Sequence, residues 1–270
     1  MSTIAVDVSQ GIATITFNRP KSLNALTADD YTFFAEALRE IDKREDVYVT
    51  IWQATGTWFC SGTNVKKTDH APSGAQATNV RQQFLAAVAG TSTDCGRALY
   101  SHRKLLVAAL NGPVLGIAAA FLGHCDFVYC MPNAWLAVPF TFMGIVAEGG
   151  ASVTFVNRMG LARANEVLIL GQKKTAEELL QCGFVNRIFT QQDVPSFHAA
   201  VRATVLEQLD GLDSTALLTM KKLIRQGLND KNDADAVNLR ESYAQAERLA
   251  SGTPSVRFAK VARKEIKHKL

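Results

Sequence analysis

The run from Leu105 to Gly123 is apolar almost throughout, yet Asn111-Gly112-Pro113 breaks its centre and Gly116 follows closely. An unbroken run of that length would read as a membrane span. The Asn-Gly-Pro break instead divides it into a buried strand over Leu105 to Leu110, a turn, and a helix of small residues over Gly116 to Leu122. The chain must therefore carry its most apolar segment as a β-loop-α unit, and this predicts an α/β fold. Phe127 to Cys130 and Trp135 to Val138 read as two further short strands behind it.

Other segments repeat the order. Ile4, Val6 and Val8, then Ile15 and Phe17, flank Gln10-Gly11 with alternating character and predict a hairpin. Thr27 followed by Asp30 resembles a capping box, with Phe33, Phe34, Ala37, Leu38 and Ile41 at helical spacing behind it. Val47 to Trp52 is β-branched and aromatic, a strand that ends in the loop Ala54 to Thr63. Thr68 to Thr78 has the composition of a mobile loop before a helix that starts near Asn79. From Ala151 helical patterns dominate, with stops at Gly160 and Gly171, a short strand at Phe184 to Ile188, and helices near 191–210, 214–228 and 234–250. The expected organisation is a core over 1–195 and a helical region over 196–270.

Composition removes several function classes. The chain has 270 residues, 47% hydrophobic and 20% charged, with 29 Lys+Arg against 25 Asp+Glu and a net charge of +4. This describes a folded globule with a substantial core. A pI near 8.8 resembles nucleic-acid binders, but the excess gathers in a tail at Arg263, Lys264, Lys267 and Lys269, without a basic stripe or a readable motif. Neither nucleic acid nor a membrane span is expected. The five cysteines make no C-x-x-C pair, so neither a disulfide framework nor a cysteine zinc site is indicated. The first residues lack the pattern of a signal or transit peptide and read as mature protein.

The candidate chemistry lies in three segments. Ser61 is no nucleophile elbow, because Phe59 stands where G-x-S-x-G needs glycine. His124, Cys125 and Asp126 are side by side, so their side chains diverge, and a structural role is favoured over a metal site. No metal is expected. Phe59-Cys60-Ser61-Gly62-Thr63-Asn64 and Asn111 to Ile117 both follow buried strands and carry glycines that let backbone N–H groups turn outward. Taken alone each is a tight turn; together they can also converge on one oxygen as an oxyanion hole. Gly144 to Ser152 holds Glu148 in an apolar, glycine-flanked loop before a helix. Burial would raise its pKa and the helix N-terminus would lower it, and sequence leaves the sign open. Two oxyanion loops and one carboxylate are the equipment for removing a proton beside a carbonyl.

At these segments the chain resembles the crotonase (enoyl-CoA hydratase/isomerase) superfamily, from the first hairpin to about residue 190. The family's F-[SA]-[AS]-G-A-D-[LF]-K loop corresponds to Phe59 through Lys66, and its N-G-x-x-x-G segment to Asn111 through Gly116, followed by Cys125-Asp126. Asn18-Arg19-Pro20, Asn24-Ala25-Leu26 and Gly183-Phe184-Val185 match as well. The resemblance implies a spiral of ββα units, a C-terminal helical region that drives trimer or hexamer formation, and an acyl-CoA thioester held by the N–H groups of Thr63 and Ile117. Ser61, Gly62, Asn64 and Val65 would complete the substrate loop; Lys66 and Lys67 stand where CoA phosphates would be met and read equally as a solvated surface pair. Thr63 and Asn64 replace the family's Ala and Asp. CoA belongs to the substrate, and no separate cofactor is implied.

The two glutamates of the family's hydratases correspond to Ala120 and Phe140. Glu148 matches instead the single glutamate of peroxisomal 3,2-enoyl-CoA isomerases, and the fungal forms are especially similar across Asp46 to Ile51 and Asn111 to Pro113. The resemblance implies a 1,3 proton shift in β-oxidation of unsaturated fatty acids. His268-Lys269-Leu270 then resembles a C-terminal peroxisomal address read by an import receptor. Hydration, dienoyl isomerisation and non-catalytic acyl-CoA binding are the alternatives.

Overall fold

The computed structural model describes residues 3–64 and 79–268. Strands β1 (Ile4–Ser9) and β2 (Ile12–Phe17) form the hairpin, and Thr27 and Asp30 close a reciprocal capping box at the start of α1 (Ala28–Lys43). β3 (Val49–Ala54) follows, then α2 (Val80–Gln83), a wide π-helical stretch over Phe84–Thr93, and α3 (Asp94–Tyr100). The apolar run folds as β4 (Leu105–Leu110), β5 (Val114–Leu115) and α4 (Ile117–Phe121). β6 (Phe127–Cys130), β7 (Trp135–Ala137), α5 (Phe140–Met143), α6 (Ala151–Leu168), β8 (Lys174–Thr175), α7 (Ala176–Gln181) and β9 (Arg187–Ile188) complete the core. The C-terminal helices are α8 (Val194–Leu209), α9 (Ser214–Lys231), α10 (Ala234–Ala250) and α11 (Thr253–Ala262).

The main sheet runs β1-β2-β3-β4-β6-β9, with β1 and β2 antiparallel and the remaining neighbours parallel. A smaller sheet, β5-β7-β8, stands beside it. Side chains alternate between faces along each strand, so Ile15, Trp52, Ala108 and Val128 are in register on the face of the large core. The opposite face carries Ile12, Val49, Ile51, Val107, Ala109 and Tyr129, and α8 covers it with Phe197, Val201 and Val205 at four-residue spacing. Thus α8 seals the core's own sheet, and β4 is apolar on both faces for that reason.

Some elements differ from their sequence reading. Gly160, at φ 75°, bends α6 without ending it. Phe184 and Val185 donate to the Leu179 carbonyl as the cap of α7, which shortens the strand expected at Phe184 to Ile188 to two residues. Asp193 accepts from the Ser196 N–H and sets the start of α8. The loop expected over Thr68 to Thr78 lies outside the described residues, as do Val65, Lys66, Lys67, Lys269 and Leu270. Among the described residues, no helix is long and apolar enough to cross a membrane.

The His124-Cys125-Asp126 triplet is structural in its contacts. The Asp126 carboxylate accepts from the Leu106 N–H at 2.7 Å and pairs with Lys221 Nζ at 2.7 Å and an Arg225 amine at 3.0 Å, bolting α9 to the sheet. His102 and His124 are buried, and burial pulls each pKa from 6.5 to about 4. The unfolded chain therefore binds protons below pH 6.5 that the folded chain refuses until about pH 4. Folding stability is expected to fall with pH across that window. Denaturant titrations that show equal stability at pH 6.5 and 4.5 would contradict it.

Candidate active site

The site is built by two parallel bridges that draw the glycine loops together. Asn24, which is buried, donates from Nδ2 to the carbonyls of Thr55 and Trp58 at 2.8 Å each and accepts the Arg19 N–H at 2.8 Å. This lays the chain after Asn24 against the second loop: Leu26 N–H donates to Gly62 O, and Asn64 N–H donates to Leu26 O, both at 2.8 Å. Leu26 thus bonds the residues on either side of Thr63, which aims the N–H of Thr63 away from it. Across the other bridge, Cys60 N–H donates to Pro113 O, and Leu115 N–H donates to Cys60 O. Gly62 sits at φ 85°, and a Cβ there would lie 3.0 Å from Leu115 O and 3.7 Å from Gly116 Cα. Only glycine permits that approach.

Ile117 opens α4, and the first N–H groups of a helix have no acceptor within it. The bridges therefore bring two outward N–H donors, on Thr63 and Ile117, to adjoining loops. Ser61 is fixed through its N–H to Leu23 O. Cys60 is fully buried, with its thiol pushed up to about 12 by burial, so it is inert as a nucleophile.

The loop that carries Glu148 packs against α4. Gly149 is so close there that a Cβ would lie 2.8 Å from the Phe121 ring and 3.3 Å from Ile117 Cδ1. His124 holds the turn by donating Nε2–H to Gly149 O at 2.7 Å. The Glu148 residue is 9% exposed. Burial raises its pKa to about 7, opposed by a hydrogen bond from Ser92 and reinforced by the charge of Glu241. Ala120 and Phe140 are both buried and apolar.

Sequence left the sign of the Glu148 shift open; burial is the largest effect and takes it upward. The N-terminus of α6 is occupied by another carboxylate: Glu241 accepts the Gly150 N–H at 2.6 Å and the Ser152 N–H at 2.8 Å. Tyr31, Ser92 and Glu241 are the residues that sequence reasoning missed. Tyr31 is buried on α1, hydrogen-bonds Thr63 Oγ1 at 2.7 Å, and has its pKa raised by burial and by the charge of Glu148. A visible signal existed for Glu241, because it lies four residues after buried Val237 on α10, where an apolar residue is the ordinary occupant.

Two glycine loops drawn together by parallel bridges, with a buried carboxylate on a third loop, define the arrangement. The chain matches the enoyl-CoA hydratase/isomerase family over residues 7–255, and it belongs to that family. A Δ(3,5)-Δ(2,4)-dienoyl-CoA isomerase of Pyricularia oryzae is 37% identical, covering 96% of each chain. A 3,2-trans-enoyl-CoA isomerase of Saccharomyces cerevisiae is 30% identical, covering 93% of this chain and 91% of the relative. The crystal structure of an enoyl-CoA hydratase/isomerase from Pseudoalteromonas atlantica superposes with a TM-score of 0.82 at 27% identity, covering 99% of this chain and 100% of that one. The resemblance to 3,2-enoyl-CoA isomerases is thus joined by a higher identity to a dienoyl-CoA isomerase.

Proposed function

We propose that the protein is an isomerase that moves the double bond of a 3-enoyl-CoA, cis or trans, to the 2-trans position. The observation that carries this reading is Glu148, a buried carboxylate with a pKa near neutrality in a loop whose Gly149 packs against Ile117. Glu148 takes a proton from carbon 2, and the electron pair delocalises onto the thioester oxygen as a dienolate. The N–H groups of Thr63 and Ile117 stabilise that oxygen. The Glu148 carboxylic acid returns its proton to carbon 4 as the double bond forms between carbons 2 and 3, so no oxidant or reductant is needed. Buried Phe140 and Ala120 offer no carboxylate to activate water, which argues against hydration.

A second reading, dienoyl-CoA isomerisation, is favoured by the 37% identity to the Pyricularia relative. It requires a proton to reach carbon 6, farther along the acyl chain than one short carboxylate serves most easily. Incubation with 3-enoyl-, 3,5-dienoyl- and 2-enoyl-CoA, each followed by product identification, separates the readings. The expected result is 2-trans-enoyl-CoA from the first substrate at the highest kcat/KM. Faster turnover of the dienoyl substrate, or a hydrated product, would overturn it, and an inert protein would leave only acyl-CoA binding.

Two further features accord with this assignment. Met220, Leu223, Ile224 and Leu228 expose one apolar face of α9, which supports a homotrimer or dimer of trimers, as the family resemblance implies. His268-Lys269-Leu270 supports import into the peroxisome matrix. A monomer in sedimentation, or a tagged chain that stays outside peroxisomes with the tripeptide intact, would remove the respective reading.

A further inference from the structure

One face of α10 grips the loop that carries Glu148. Arg248 donates from Nε to Gly144 O at 2.9 Å, Gln245 accepts the Val146 N–H at 3.2 Å, and Glu241 accepts the Gly150 and Ser152 N–H groups. The same helix holds the segment that carries Ser92, since Asn238 donates to Thr93 O at 2.8 Å and the hydroxyls of Ser242 and Thr93 bond at 2.7 Å. Thus α10 sets the spacing between Glu148 and its hydrogen-bond partner. The first turn of α6 has no side-chain cap of its own: Gly150 is its N-cap, and Ala151 N–H donates to the main-chain oxygen of Glu148.

We propose that Glu241 is a positioning residue for the Glu148 site, occupying the amide donors at the N-terminus of α6 so that this helix end does not stabilise the Glu148 carboxylate. A helix N-terminus stabilises a nearby anion, and an anion so stabilised is a poorer proton acceptor. Glu241, itself buried, takes that role and adds a like charge beside Glu148. The described groups that face Glu148 or its loop from the packed elements are Tyr31 of α1, Ser92 of the wide helix, neutral His124 after α4, and Glu241 of α10, with Arg240 acting on Glu241. The inference rests on Glu148 being the base, as in the isomerase reading.

The test is a carboxyl-carbon NMR titration of the full chain with labelled glutamate in the native protein, E241Q, E148Q and the exposed control E247Q. The Glu148 signal, identified by its loss in E148Q, is expected to titrate near pH 7. In E241Q its midpoint falls by about half a pH unit or more; in E247Q it stays. Because Glu241 is ionised before Glu148 titrates, its own signal in the native protein carries a second, smaller step near pH 7 that is absent from E148Q, an arm that survives if E241Q does not fold. A Glu148 midpoint unmoved in E241Q, or a native Glu241 signal with no step near pH 7, overturns the proposal. With 3-enoyl-CoA, the acid limb of kcat for E241Q moves down in parallel while KM holds. A native protein that shows the coupled titration but no turnover would refute the isomerase reading and leave the Glu241 assignment standing.

Discussion

Glu148→Gln is expected to lower isomerase kcat by about 10²-fold or more, the usual cost of removing a general base, while the fold survives. Gln fills the same space and retains an acceptor for Ser92. Its neutral amide also avoids the burial cost that raises the Glu148 pKa to about 7. Melting should therefore be unchanged or slightly higher in the variant. In the native enzyme kcat/KM is expected to rise with pH through about 7, because only the deprotonated carboxylate accepts the proton from carbon 2. The acid limb should vanish from whatever activity remains in the variant. Near-native turnover of E148Q, or an acid limb that persists unchanged, would show that another group is the base.

Asp126→Ala is expected to cost about 3–5 kcal/mol, the range for breaking a buried ion pair by removing one partner. Lys221 is 5% exposed and pairs with Asp126 at 2.7 Å, and Arg225 shares the same carboxylate. Those two cations hold the Asp126 pKa below its ordinary value against the opposing effect of burial, while burial lowers the pKa of Lys221. Without Asp126, the Lys221 ammonium is left in the interior with the Lys104 carbonyl as its partner. The unfolded chain then holds the Lys221 proton more tightly than the folded one, so stability of the variant should recover as pH rises from 7 toward 10. A double variant D126A/K221M should lose less than the sum of the single losses. Chemical denaturation checks all three; a loss below about 1 kcal/mol for D126A would contradict the buried-pair account.

These two sites differ in how far sequence reveals them. The strand-turn-helix division at Asn111-Gly112-Pro113 was legible because apolar burial and turn chemistry are local, and the capping box at Thr27 and Asp30 for the same reason. The two glycine loops were legible as segments, but their convergence depends on the bridges from Leu26 and Val114, which are long-range. The direction of the Glu148 shift depends first on how deeply tertiary packing buries its loop, and then on Ser92 and Glu241, none of which a local pattern around Glu148 contains. The wide helix over Phe84–Thr93 and the final helix α11 also escaped the reading. The first is an irregular geometry held by Asn238 and Ser242 from α10, and the second is a short amphipathic helix tied to α5 through Arg257 and the Phe142 carbonyl.

The claim at the centre is that one buried carboxylate carries a proton from carbon 2 to carbon 4. It is tested most directly with 3-enoyl-CoA deuterated at carbon 2, turned over in ordinary water, with the label located in the 2-trans product. A single base that keeps the abstracted proton through the transfer should deliver a measurable share of the deuterium to carbon 4. Product whose carbon 4 carries hydrogen from solvent alone, from the earliest turnovers onward, would contradict transfer by Glu148.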